Sequence, residues 1–170
     1  MTDEEKAAHD AQFVQWALQG NSPAVQLVND VSFVAHLWDD LIDGDKQLES
    51  EHINWAFWVL FVQLQENPFY VEYREQLVPI FRESILAWID SSEMEKEGGN
   101  SRCMAYTLRT MYDMIITTCA YIIGGYTWMR EVSAAMRRDM SMTDGTFDEY
   151  MAEMDARYGQ GNGADNGSFI

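Results

Sequence analysis

Three features of the sequence predict an all-α fold: apolar residues recur at three- and four-residue steps, asparagine or serine followed by proline punctuates the chain, and no stretch alternates apolar and polar residues as a half-buried strand would. At 170 residues, with 47% hydrophobic and 13% aromatic side chains, one domain with a sizeable core is expected. A chain of about 150 residues withdraws roughly 70% of its unfolded surface from water. The reading is a single-domain helical bundle of about five main helices plus a short C-terminal helix over residues 1–158. A Gly/Asn-rich tail, 159–170, reads as flexible because GQGNGADNGSFI offers no core-forming surface.

Each element has its own warrant. Thr2 with Glu5 spells a capping box for a first, peripheral helix that carries Phe13, Trp16 and Leu18 and breaks at Gly20-Asn21. Ser22 then Pro23 reads as an N-cap with proline at the first helical position, opening a second helix to Asp43 that Gly44 stops. A third helix from about Ser50 to Glu66 is so densely apolar, through Ile53, Trp55, Phe57, Trp58, Leu60, Phe61 and Leu64, that it is expected to be central and covered on both sides. Asn67-Pro68 starts a fourth helix to about Asp90, with a bend expected at Pro79, and the acidic stretch Ser91 to Gly99 reads as an internal linker. Asn100 or Ser101 caps a long fifth helix to about Met140, kinked at Gly124-Gly125, and Thr146 with Glu149 caps the last, ending at Tyr158.

Charge narrows the partners. With 28 acidic against 11 basic residues the formal net charge is −17, so direct binding to duplex nucleic acid is not expected, because Lys and Arg carry such binding. Cys103 and Cys119 are too few for a disulfide framework, and no apolar leader with a basic flank is visible, so a reducing cytoplasm is expected. The uncharged run Met114 to Met129 is short and polar for a membrane span, and no membrane association is expected.

The segment His36-Leu-Trp-Asp39-Asp40-Leu-Ile-Asp43-Gly44 carries the densest chemical signal. On a helix His36, Asp40 and Asp43 share a face, and Asp39 and Asp43 form a second four-residue step. Carboxylates so spaced can share a hard cation such as Mg²⁺, and their place in the last turn opposes the helix dipole, which a bound cation would reverse. The competing reading is a solvated or partner-facing acidic face. On the fifth helix Arg102, Tyr106, Arg109 and Asp113 recur at four, three and four residues as one polar stripe. Facing the second helix, it would bring Arg102 and Arg109 to phosphate oxygens or to the acids, with Tyr106 beside them and Asp113 completing the cluster. Alternatively Arg109 and Asp113 form an ordinary helical ion pair. His36 is then a ligand, a general base or a core histidine. Together with Asp113 it is the candidate catalytic group.

Asp39-Asp40-x-x-Asp43 at a helix end resembles the first aspartate-rich motif of class I isoprenoid diphosphate synthases and terpene cyclases. That resemblance covers Asp39 to Asp43 and implies Mg²⁺ held by Asp39, Asp40 and Asp43 against a substrate diphosphate. The second acidic motif of that family is matched only by Tyr112-Asp113 and Thr117, one acid and a hydroxyl. The segment HLWDDLIDGDK, with the later GGYTWMR, is also similar to small helical proteins of tailed bacteriophages. This implies a host-cytoplasmic protein acting on a phosphorylated small molecule or, without catalysis, a charge mimic, inhibitor or assembly factor that binds a basic host or virion protein.

Overall fold

A computed structural model describes residues 2–44, 47–138 and 146–159. The described chain is an all-α, single-domain bundle built as six rods, without strands among the described residues. The 160–170 stretch expected to form the tail lies outside them.

Helix α1, Asp3–Ala17, opens with the Thr2–Glu5 capping box. It then turns through Gln19 and Gly20, both at positive φ. Helix α2, Ser22–Asp43, is capped by Asn21, whose side chain accepts from the Ala24 N–H at 3.1 Å. The cap thus falls one residue before the Ser22 expected, because the amide of Asn21 reaches the third residue on. Gly44 closes α2 in the left-handed region (φ 68°), a conformation that favours glycine.

The third rod is not regular. Helix α3, Ser50–Trp58, passes into a π-helical turn, Val59–Gln63, and then a short α4, Leu64–Glu66. Its buried residues are Ala56, Val59 and Leu64, a step of three followed by a step of five. In an unbroken helix Gln63 would fall under that stripe. The extra residue of the π turn rephases the rod so that Leu64 takes the core position. Gln63 instead reaches α2, its amide donating to both carboxylate oxygens of Asp30 at 2.8 Å.

Helix α5, Pro68–Glu97, is capped by Asn67, whose side-chain oxygen accepts from the N–H groups of Phe69 and Tyr70. Its one non-helical residue is Tyr73, so the kink lies N-terminal to the Pro79 that was expected to bend it. A proline's ring and missing N–H act on the carbonyl four residues back, here Glu75, so the break at Tyr73 lies beyond its direct reach. The helix runs on to Glu97 through the stretch read as a linker. Nothing there breaks it before Gly98.

Helix α6, Asn100–Arg109, starts after Gly99 at φ 56° with no side-chain cap, in place of the Asn100 or Ser101 cap expected. A 3-10 turn, Thr110–Tyr112, joins it to α7, Asp113–Met136. Inside α7 the expected kink falls at Gly125 (φ 72°, ψ −169°), a conformation open essentially to glycine alone. Helix α8, Phe147–Tyr158, carries the Thr146–Glu149 capping box. Among the described residues no helix is long and apolar enough to cross a membrane.

The main core gathers α1, α2, the third rod, α5 and α7 around Leu18, Leu27, Leu77, Ile115 and Ile116. Trp128 locks α1 to α7. Its ring meets Trp16 at 5.0 Å and its indole N–H donates to the Ala17 carbonyl at 2.8 Å. A smaller apolar cluster, Ala105, Tyr150 and Met154, seats α8 on α5 and α6.

Candidate functional site

The buried four-residue stripe of α5 continues through Ala87 and Ser91 to Glu95, which is only 1% exposed. A carboxylate there needs compensation, since an isolated charge in the interior costs far more than folding can absorb. Arg109 supplies it. Its Nε and Nη2 donate to the two Glu95 oxygens at 2.5 and 3.1 Å, the bidentate geometry that a guanidinium fits best. The Tyr150 hydroxyl donates to the same carboxylate at 3.0 Å. Arg102, also 1% exposed, donates to the Glu95 carbonyl at 2.8 Å, to Asp155 at 2.5 Å and to the Gly159 carbonyl at 2.9 Å. Three helices are tied by one polar junction.

The electrostatics follow from these contacts. Burial works against the charge of Arg109, but the bond to Glu95 and the charges of Glu95 and Asp39 outweigh it and raise its pKa above the ordinary arginine value. Burial first, then the Glu95 charge and hydrogen bond, push the Tyr150 phenol up, so it remains a donor.

This junction meets the acidic end of α2 at one point. Asp39 lies 3.7 Å from Arg109 Nη1. The same Asp39 oxygen accepts from the Trp88 indole N–H at 3.0 Å, and Trp88 packs on Trp38 with ring centroids 4.1 Å apart. The two polar stripes of the sequence therefore touch through Asp39 and Arg109. Arg102 turns away toward α8, and Tyr106 packs on Tyr150 and Phe147 at 5.1 and 5.2 Å.

Asp113 leaves the stripe. The 3-10 turn between Arg109 and Asp113 tightens the rotation per residue, so the pair does not stack as an α-helical four-residue step would. The partners of Arg109 are Glu95 and Asp39, while burial raises the Asp113 carboxyl to about 6, opposed only in part by Arg137. His36 is exposed at the surface of α2. Its Nδ1 donates to the Ser32 carbonyl at 2.7 Å, which places the proton on that nitrogen. Asp40 is half-buried, and the side chain of Asp43 lies outside the described residues. Among the described residues no three acid, histidine or cysteine side chains converge as a metal cage. The donors already on Asp39 compete with a cation for the same oxygen.

A second surface stands apart from this polar junction. On α3 and its π turn, Trp55, Phe57, Trp58 and Phe61 are 48%, 59%, 53% and 71% exposed. The expectation of a central, fully covered helix is thereby corrected. One face of the rod, Ala56, Val59 and Leu64, suffices to bind it to the core, and its aromatic majority is left outside. Phe57 and Phe61 stack with centroids 6.0 Å apart, and Leu41 and Ile42, where α2 leads toward α3, are exposed as well. Large contiguous exposed apolar patches are the kind of surface that marks interaction sites, whereas apolar residues exposed singly are ordinary.

The sequence reading missed Glu95, Tyr150 and Asp155. For Glu95 a signal was present: Ala87, Ser91 and Glu95 continue the core-facing step without a proline or glycine before Gly98. Comparison with family models, curated proteins and solved structures finds nothing that matches this chain.

Proposed function

We propose that this protein works by binding a macromolecular partner rather than by catalysis, and that the aromatic face of α3 and its π turn is the docking surface. The observation that carries the reading is the exposure of Trp55, Phe57, Trp58 and Phe61 on one rod. Aromatic side chains are the residues that anchor protein interfaces, since each brings a large apolar area at low conformational cost. A π turn in the same rod agrees with it, because such turns cluster at functional places. The polar junction fits a structural role: its charges are spent on each other and on holding α8. The resemblance to small helical proteins of tailed bacteriophages allows the same reading, as a host-directed inhibitor or assembly factor.

The test is retention of a partner. A Phe57→Ser/Phe61→Ser chain with an unchanged helical circular dichroism spectrum is expected to lose the bacterial proteins that the unaltered chain retains. A variant that keeps them all refutes the docking reading.

A second reading keeps the Mg²⁺-dependent site for a diphosphate ligand. It is favoured by one observation: the last turn of α2 holds acids and no basic residue, against the helix dipole. Asp40 and Asp43 would hold the ion there, with Asp39 shared with Arg109. Calorimetric titration with Mg²⁺ at millimolar concentration is expected to give heat that Asp40→Asn removes. No heat from the unaltered chain ends this reading.

A further inference from the structure

We infer that the occupant of the aromatic face is a cationic amphipathic helix of another protein, with an arginine or lysine seated in the groove beside Trp58. The inference rests on the docking reading above and adds the chemistry of the partner.

Charge is the first argument. From Gly20 to Tyr73 the sole Lys or Arg is Lys46, whereas Asp30, Asp39, Asp40, Asp43, Asp45, Glu49, Glu51, Glu66 and Glu72 are acidic. The stretch that displays the aromatics is thus also the one most depleted of positive charge. A second copy of the chain would bring like charges together, with −17 on each partner, and an anionic lipid surface would be repelled in the same way. A basic partner gains on both counts, from apolar burial and from the field.

Shape is the second. At the end of the aromatic rod a groove of about 160 Å³ is lined by Trp58, Glu66, Gln26 and Gln63. An indole ring, a carboxylate and two amides are what a guanidinium or ammonium group takes as neighbours: the ring through its electron-rich face, the carboxylate through charge, and the amide oxygens through hydrogen bonds. The groove is separate from the polar junction, whose arginines are already satisfied. The exposed Phe57–Phe61 pair lies on the same rod, so apolar anchors at helical spacing can reach it while the cation enters beside Trp58.

The experiment titrates the full chain with two synthetic helical peptides that share leucines at three- and four-residue steps, one flanked by Lys and Arg and the other by Glu. Calorimetry and tryptophan fluorescence follow the binding. The cationic peptide is expected to bind at least tenfold more tightly than the acidic one and to weaken several-fold as salt rises from low to high ionic strength. Glu66→Gln is expected to reduce that preference, Phe57→Ser/Phe61→Ser to abolish binding, and Tyr126→Ser, an exposed aromatic on α7, to leave it unchanged. Equal affinity for the acidic peptide overturns the charge assignment. So does binding of neither peptide, or sedimentation showing a dimer that the double phenylalanine variant dissociates. The docking reading stands or falls separately, on whether that variant loses its retained partners.

Discussion

The junction of α5, α6 and α8 buries charge, and the rod of α3 exposes aromatics; each inverts the usual placement of its residue types. In the first region the inversion is resolved within the chain. The Glu95 carboxylate receives three donated bonds and Arg102 makes three, so the desolvation each suffers is met by partners. In the second region the apolar groups of Trp55, Phe57, Trp58 and Phe61 face outward from a rod that needs only Ala56, Val59 and Leu64 to hold it in place. A buried charge with all its partners inside explains itself. A displayed aromatic face leaves its apolar groups unmet within the described residues, and the docking proposal rests on that exposure.

The inner region carries the largest expected effect. Glu95→Ala leaves the Arg109 guanidinium and the Tyr150 hydroxyl without their shared acceptor, and removing one member of a buried pair costs about 3–5 kcal/mol. Urea unfolding is expected to show that loss. Hydrogen exchange is expected to show α8 opening before α2, because its seat is the small cluster of Ala105, Tyr150 and Met154. Unchanged protection of α8 would mean that the apolar cluster alone holds it.

Much of this frame was legible from residue order. The capping boxes at Thr2 and Thr146, the Asn67-Pro68 start, the Gly44 stop and the Gly125 break are local devices, each decided by a few adjacent residues. What failed is what depends on phase and on distant partners. A single additional residue in the Val59–Gln63 turn decides which side of the third rod is inside, and periodicity counted at 3.6 residues per turn cannot register it. Glu95 fell within the stretch read as an acidic linker because its reasons for being buried are at Arg109 and Tyr150, well removed along the chain. Among the candidate site residues, Asp39 and Arg109 do meet, as their spacing on two helices allowed. Asp113 does not follow Arg109, because three residues of tighter helix intervene.

Asp113 gives the next effect, with a sign opposite to that of Glu95. Burial raises its carboxyl from 3.8 to about 6. Between those values the folded chain binds more protons than the unfolded one, so stability is fullest below the unfolded pKa and is lost as pH rises through about 6. A shift of this size corresponds to about 3 kcal/mol. Asp113→Asn is expected to stabilise the chain by up to that amount at pH 8, and by about 1 kcal/mol less at pH 5, as read from urea midpoints. A gain that is the same at both values would assign the effect to packing instead of protonation.

Asn67 joins the two regions, since it caps α5 and donates to the Pro23 carbonyl of α2 at 2.9 Å while only the short α4 separates it from the π turn. Asn67→Ala removes both roles at a buried position. The expected cost is about 2 kcal/mol, between that of an ordinary cap and that of a buried pair. If Asn67→Ala also weakens partner binding, the groove beside Trp58, which Asn67 helps to line, is coupled to the cap.

The smallest stability effect is expected where the functional effect is largest. Phe61 is the most exposed aromatic of its rod, and its contact with Phe57 at 6.0 Å is itself at the surface. Truncating an exposed side chain away from any cap or buried network changes stability by about 0.5 kcal/mol or less. Phe61→Ser is therefore expected to leave the urea midpoint almost unmoved while lowering partner affinity. The residues of the α5–α8 junction should show the reverse order, large in stability and small in binding. A large loss of stability in Phe61→Ser would mean that the ring supports the π turn, and the aromatic face would then be part of the fold's own economy rather than a surface kept for another molecule.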